Sequence, residues 1–130
     1  NMQRDFTFIT DVVDAIYKCC LKKAIPNNKF FNSKPEIATS FAPHRIFNVG
    51  SNNPTNLLNF IEKLENELGV KAIKKMMPMQ KGDVKSTYAD IEKLQKWSNY
   101  HPKISFNEGI HIFANWFKDY FKSDYYKKPL

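Results

Sequence analysis

Arg4-Asp5-Phe6-Thr7-Phe8-Ile9-Thr10-Asp11 runs directly into Val12-Val13-Asp14-Ala15-Ile16. Phe6 and Phe8 alternate with Thr7, the period of an extended segment whose side chains point to opposite faces. At Asp11 the period changes. Val12, Ile16, Cys19 and Lys23 recur at helical spacing, Val13 and Cys20 widen the apolar stripe, and Asp11 is suited to cap the first turn. The expectation is a strand-like entry into a helix over about 11–23, stopped by Pro26. A strand giving way to a helix over so few residues points to an α/β chain.

Beyond this helix, residues 24–44 carry Pro26, Pro35 and Pro43 with Asn27, Asn28, Asn32 and Ser33, a composition that opposes regular structure. A loop is expected there, either a plain surface loop or a lid near a ligand. Arg45 to Val49, with Ile46, Phe47 and Val49 apolar, reads as a strand stopped by Gly50 and the Ser51-Asn52-Asn53 turn. Asn53 is then expected to cap a helix with Pro54 first, Leu57, Ile61, Leu64 and Leu68 on its buried side, and Gly69 as a left-handed cap. Val70 to Met77 reads as a further strand ended by Pro78, and 78–88 as a loop around Gly82. Asp90 is placed to cap a short helix bearing Ile91, Leu94 and Trp97, which Pro102 stops near Tyr100. Ser105 and Glu108 have capping-box spacing, and Phe106, Ile110, Phe113, Phe117 and Tyr120 share one face of a last helix over about 106–122.

The sum is a small α/β arrangement of about four helices and a few short strands, expected as a single domain over 1–130. With 42% hydrophobic residues, 11 Phe, 6 Tyr and 2 Trp, the composition excludes a disordered chain. No run approaches the roughly 20 apolar residues of a membrane helix, and no signal-peptide layout opens the chain, so no membrane and a cytoplasmic setting are expected. The +7 charge is scattered over Lys22-Lys23, Lys71, Lys74-Lys75, Lys81, Lys85 and Lys127-Lys128, among carboxylates. That distribution describes a solvated surface rather than a nucleic-acid stripe, while a basic balance also suits a diphosphate. Cys19 and Cys20 are adjacent on a helix and are expected as buried or half-buried thiols, since neighbouring helical side chains diverge.

Chemistry-bearing patterns are few. Gly50, Gly69, Gly82 and Gly109 are far apart, and none forms a glycine-rich phosphate turn after a strand. His44, His101 and His111 lack the spacing of a helical metal pair, and no Ser or Cys sits in a nucleophile elbow, so no metal and no catalytic residue are expected. Arg4 offers a planar fork of donors matched to phosphate oxygens, although an Arg beside Asp5 ordinarily reads as a structural ion pair. Gln80-Lys81-Gly82-Asp83 combines an amide, a cation, a flexible backbone and a carboxylate suited to ribose hydroxyls, as many polar turns do.

Three segments taken together carry a resemblance: Arg4 to Asp11, Ala42-Pro43-His44-Arg45-Ile46-Phe47-Asn48-Val49-Gly50, and Pro78-Met79-Gln80-Lys81-Gly82-Asp83-Val84 continuing to Asp90. In this order the chain, from about Met2 to Lys122, resembles the C-terminal substrate-binding region of NAD-dependent nucleotide-sugar epimerases of the extended short-chain dehydrogenase/reductase family. Within that family it looks most like the UDP-glucuronate 4-epimerase branch. The resemblance implies that Arg4 binds the nucleotide diphosphate, that Phe6 lines the site, and that Gln80 and Asp83 contact the uridine from a closing loop. The family often has Tyr in place of His44 and Pro in place of Lys81, and its UDP-glucose branch has Arg in place of Gln80.

The family's catalytic Tyr, followed four positions later by Lys, has no counterpart at Tyr17, Tyr88, Tyr100, Tyr120, Tyr125 or Tyr126. The resemblance therefore implies a piece of a longer, homodimeric enzyme that binds a UDP-sugar. NAD and proton transfer would be supplied by a nucleotide-binding (Rossmann) N-terminal half. The chain alone is expected to be inactive and to self-associate through an exposed apolar face. Alternatives are another UDP-sugar epimerase, decarboxylase or dehydratase of the family, or a stand-alone basic binding module.

Overall fold

The structure, a computed structural model, describes residues 2–31, 34 and 36–122. Asn32, Ser33 and Pro35 of the expected loop, and the Tyr125-Tyr126-Lys127-Lys128 tail, lie outside the described residues.

The entry segment pairs at once: β1, Gln3–Arg4, runs antiparallel to β2, Thr55–Asn56, with Gln3 opposite Asn56 and Arg4 opposite Thr55. Gln3 also bridges in parallel to Ser86, its N–H donating to Lys85 O (2.9 Å) and its carbonyl accepting from Thr87 N (3.1 Å). Three remote stretches thus meet at the second and third residues of the described chain. These contacts lie before Phe6, whose neighbourhood is extended but unpaired.

The first helix, α1, spans Ile9–Cys20 and begins after an extended Phe8. Asp11 is not its cap. The Asp11 carboxylate is buried inside the first turn and accepts from Lys103 N and Ile104 N, both at 3.1 Å, so it is used across the fold rather than within its own helix. The helix also stops six residues short of Pro26. It buries Asp11 and Ala15; of the expected stripe, Val12 is half-covered and Cys19 packs against the core, while Val13, Ile16 and Cys20 turn outward with Ile9 and Tyr17. Both cysteines are free, Cys20 exposed and Cys19 partly covered.

Two expected strands are absent. Residues 45–49 form only an isolated bridge, Thr39 to Arg45, and residues 70–77 lie exposed without a strand partner among the described residues. Both stretches have apolar, strand-like sequences, but a strand exists only when another strand accepts its backbone.

The second helix, α2, is Leu57–Leu68. Because Thr55 and Asn56 are drawn into β2, Asn56 takes the cap role expected of Asn53, its Oδ1 accepting from Leu58 N at 2.8 Å. Gly69 closes the helix in the left-handed region at φ 72°, as expected. The buried member of α2 is Glu65, while Leu57, Ile61, Leu64 and Leu68 are half-covered. Glu65 anchors the following segment: it accepts from Ala72 N (2.9 Å) and pairs with Lys71 (3.2 Å) and Lys74. Lys74 first, then the Ala72 N–H, outweigh burial and hold its carboxyl down at about 2.

The third helix, α3, is Glu92–Ser98, with Asp90 Oδ1 accepting from Glu92 N at 3.0 Å and a left-handed Asn99 at its end. The last, α4, is Phe106–Lys122, entered through Ser105, whose Oγ accepts from Glu108 N at 3.3 Å. Ala15, Ile91, Leu94 and Tyr100 form the core between α1 and α3. A second apolar centre joins the entry segment to α2 and α4, where Phe6 stacks on Phe60 at 4.5 Å and lies 5.9 Å from Phe106. No described helix is long and apolar enough to cross a membrane.

Candidate functional site

β1 fixes Arg4, and the Gln3–Ser86 bridge brings the 80–86 loop beside it. Gln80 to Asp83 make a four-residue turn in which Asp83 N donates to Gln80 O at 3.2 Å and Gly82, at φ 90°, occupies the third position that demands a positive φ. The turn delivers the Asp83 carboxylate to Arg4: Nη2 donates to Oδ1 at 2.9 Å, a contact between residues 79 apart. Arg4 Nη1 donates to Gln3 O (2.8 Å) and reaches Lys85 O (3.5 Å). Three of the guanidinium's five N–H donors are thereby committed, which leaves two for another acceptor. The ion pair that the sequence suggested for Arg4 forms with Asp83, not with Asp5.

Asp5 does something else. Its Oδ1 accepts from Ser51 N (3.0 Å) and from Ser51 Oγ, and its Oδ2 from Asn52 N and Ala89 N, both at 3.2 Å. Its own N–H donates to Thr87 Oγ1 at 3.2 Å. Burial pushes this carboxyl upward, but the Ser51 hydroxyl and the surrounding backbone N–H groups outweigh it and hold the group below its ordinary value. One side chain therefore ties the entry segment to the 50–52 turn and to the 87–89 stretch that follows the candidate loop. Gly50 is required beside it, since a Cβ there would lie 2.4 Å from Ala89 Cβ and 2.7 Å from Asp5 Oδ2. The sequence offered one signal for this hub, an acidic residue between Arg4 and an aromatic, and its partners lie too far along the chain for spacing to reveal them.

Of the four expected binding residues, Arg4 and Asp83 touch, and Gln80 lies exposed in the same turn. Phe6 faces elsewhere, into an apolar hollow of about 300 Å³ with Phe8, Phe60, Phe106 and Phe113 along its walls. Among the described residues no set of His, Cys, Asp and Glu is grouped to hold a metal. None of the four glycines forms a dinucleotide turn: Gly50 is packed against Asp5, Gly69 caps α2, Gly82 lies in the exposed turn and Gly109 is inside α4, so none joins a strand to a helix N-terminus.

The chain has known relatives. It is 38% identical over 122 residues to Protein CapI of Staphylococcus aureus, covering 94% of this chain and 36% of that protein. A probable UDP-glucuronate 4-epimerase of Rhizobium meliloti is 36% identical over 121 residues, covering 90% of this chain and 35% of that one. The solved UDP-glucuronic acid 4-epimerase from Bacillus cereus with NAD superposes with a TM-score of 0.64 at 26% identity, covering 96% of this chain and 33% of that one. No protein-family model matches. The chain is thus related to the NAD-dependent nucleotide-sugar epimerases of the extended short-chain dehydrogenase/reductase family and has the fold of their C-terminal part. Within that family, several of its sequence relatives bear the name UDP-glucuronate 4-epimerase. The chain spans about a third of the length of these relatives.

Proposed function

We propose that the chain is the UDP-sugar-binding part of a cytoplasmic NAD-dependent epimerase whose reaction interconverts UDP-glucuronate and UDP-galacturonate at C4. Arg4 grips the diphosphate through its two remaining donors, and the Gln80–Asp83 turn closes over the uridine. Phe6, packed on Phe60 and Phe106, fixes the segment that carries Arg4 rather than lining the nucleotide site. Catalysis and NAD belong to residues outside this chain, so anchoring is its share: a nucleotide held firmly lets the small sugar turn over without leaving. The observation that supports this reading is the Arg4–Asp83 contact, a guanidinium held beside an exposed polar turn.

The outward apolar face of α1 supports a larger assembly, since Ile9, Val13, Ile16 and Tyr17 are each more than half exposed. On this reading the parent works as a homodimer, and the chain alone should self-associate, which sedimentation tests.

The test is a UDP titration followed by amide shifts. Movement should concentrate at Arg4 and at Gln80 to Asp83, and the chain alone should show no epimerase turnover. Shifts elsewhere with none in these residues, or turnover by the 130-residue chain, would refute the reading.

A further inference from the structure

A second cationic site lies on the α3 side of the molecule. Lys22, Arg45, Lys93 and Lys96 converge from the end of α1, the 36–46 segment and α3 on a hollow of about 230 Å³ beside Trp97. Trp97 orders two of them, with Lys22 Nζ 4.3 Å and the Arg45 guanidinium carbon 5.5 Å from its ring centre. Lys22 is held further by donating to Trp97 O at 2.8 Å, at the C-terminal end of α3 where a cation is favoured.

An anion already occupies part of this hollow, and it comes from the protein. Glu36 Oε1 accepts from Lys93 at 2.7 Å, while its Oε2 lies 3.7 Å from Arg45 Nη1, beyond hydrogen-bond reach. Arg45 Nε is buried and has no acceptor among the described residues. Glu92 takes up Lys96 from the side. Four cations thus face two carboxylates, and the planar fork of Arg45 is the group left without a matched partner. A carboxylate at 3.7 Å satisfies charge but not the donors of a guanidinium.

We propose that this hollow is a phosphate-binding site, in which Arg45 and Lys93 take the oxygens of a phosphate dianion, Lys22 and Lys96 supply surrounding charge, and Glu36 is the internal competitor that the ligand displaces. The excess of positive charge in the hollow suits a dianion, the volume admits one phosphoryl group, and the Arg45 fork, whose contact with Glu36 lies beyond hydrogen-bond reach, gains matched acceptors. The hollow shares no residue with the Arg4–Asp83 pair, so the proposal does not depend on how UDP is held.

Inorganic phosphate titrated into the 130-residue chain at constant ionic strength, followed by amide and indole shifts, tests the assignment. Saturable movement is expected at Arg45, Lys93 and the Trp97 indole. Arg45→Lys keeps the charge and removes the fork, and should weaken phosphate about tenfold. Glu36→Gln should tighten it about threefold or more, whereas Glu92→Gln, which removes an equal charge nearby, should change it less than about twofold. Acetate, which is monoanionic, should move none of these signals. Non-saturating drift shared with Lys74 and Lys75 would overturn the proposal. So would an unchanged affinity in Arg45→Lys, equal effects of the two Gln substitutions, or acetate binding as well as phosphate. If Arg45→Lys fails to fold, Lys93→Gln replaces it with the same expected loss. Arg4→Lys should leave phosphate binding here intact, which separates failure of this site from failure of the UDP reading.

Discussion

Replacing Asp5 with Asn changes one oxygen to an NH2 and leaves shape nearly unaltered, yet it should be among the most damaging single substitutions in the chain. The carboxylate accepts two hydrogen bonds on each oxygen: Ser51 N and Ser51 Oγ on one, Asn52 N and Ala89 N on the other. An amide keeps one oxygen as an acceptor and turns the other into a donor facing donors. Two bonds to a charged acceptor are lost, each worth roughly 1.5–3 kcal/mol, and partial exposure discounts the sum to about 3 kcal/mol. Urea denaturation reads this directly. The midpoint should fall while the slope stays that of the parent, because the surface exposed on unfolding is unchanged. The sign with pH is fixed as well. The folded-state carboxyl lies below its ordinary 3.8, so its contribution is present above that value and is lost as pH falls through the folded value. The difference between parent and Asp5→Asn should therefore shrink in acid. A loss below about 1 kcal/mol at neutral pH, or a gap that widens in acid, would refute the hub.

Arg4→Lys retains the charge but not the fork, and should lower UDP affinity about tenfold while stability, measured by urea, moves by less than about 1 kcal/mol. The Glu65 carboxyl, held at about 2 against an ordinary 4.5, anchors the 70–74 segment above pH 4.5. Amide exchange at Ala72 should therefore accelerate as pH drops from 4.5 toward 2, after correction for intrinsic rates. Tyr100→Phe removes only the long hydroxyl contact to Gly50 O at 3.4 Å and should cost about 1 kcal/mol or less in thermal or urea unfolding. Tyr100→Ala empties a fully buried position and should cost about 3–5 kcal/mol.

The features legible in the sequence are those with local causes. Gly69 ends α2 because only a left-handed residue closes that turn, and Ser105 opens α4 because its hydroxyl reaches an amide three residues on. Both signals sit within one helical turn of the element they define. Asp11 misled for the opposite reason: it has the chemistry of a cap, but its acceptors are spent on amides 92 and 93 residues away. The 45–49 and 70–77 stretches have strand-like patterns, and pattern alone carries no information about whether a partner edge exists. The two-residue strands β1 and β2 are too short to show any period. At the candidate site, Arg4 and the Gln80–Asp83 turn were each visible as residue types, and the family resemblance joined them. Their meeting depends on the Gln3–Ser86 bridge, a pairing no local rule foretells.

That bridge makes the amino-terminal strand a rigid lever between distant points. Gln3 holds Lys85 and Thr87 on one side, and the preceding carbonyl, Met2 O, receives Leu57 N at 2.9 Å on the other. Tension applied at the Arg4 guanidinium passes through two peptide units to the first amide of α2. Leu57 should consequently register ligand seating as slowed solvent exchange, a built-in gauge some fifty positions from the hand that grips.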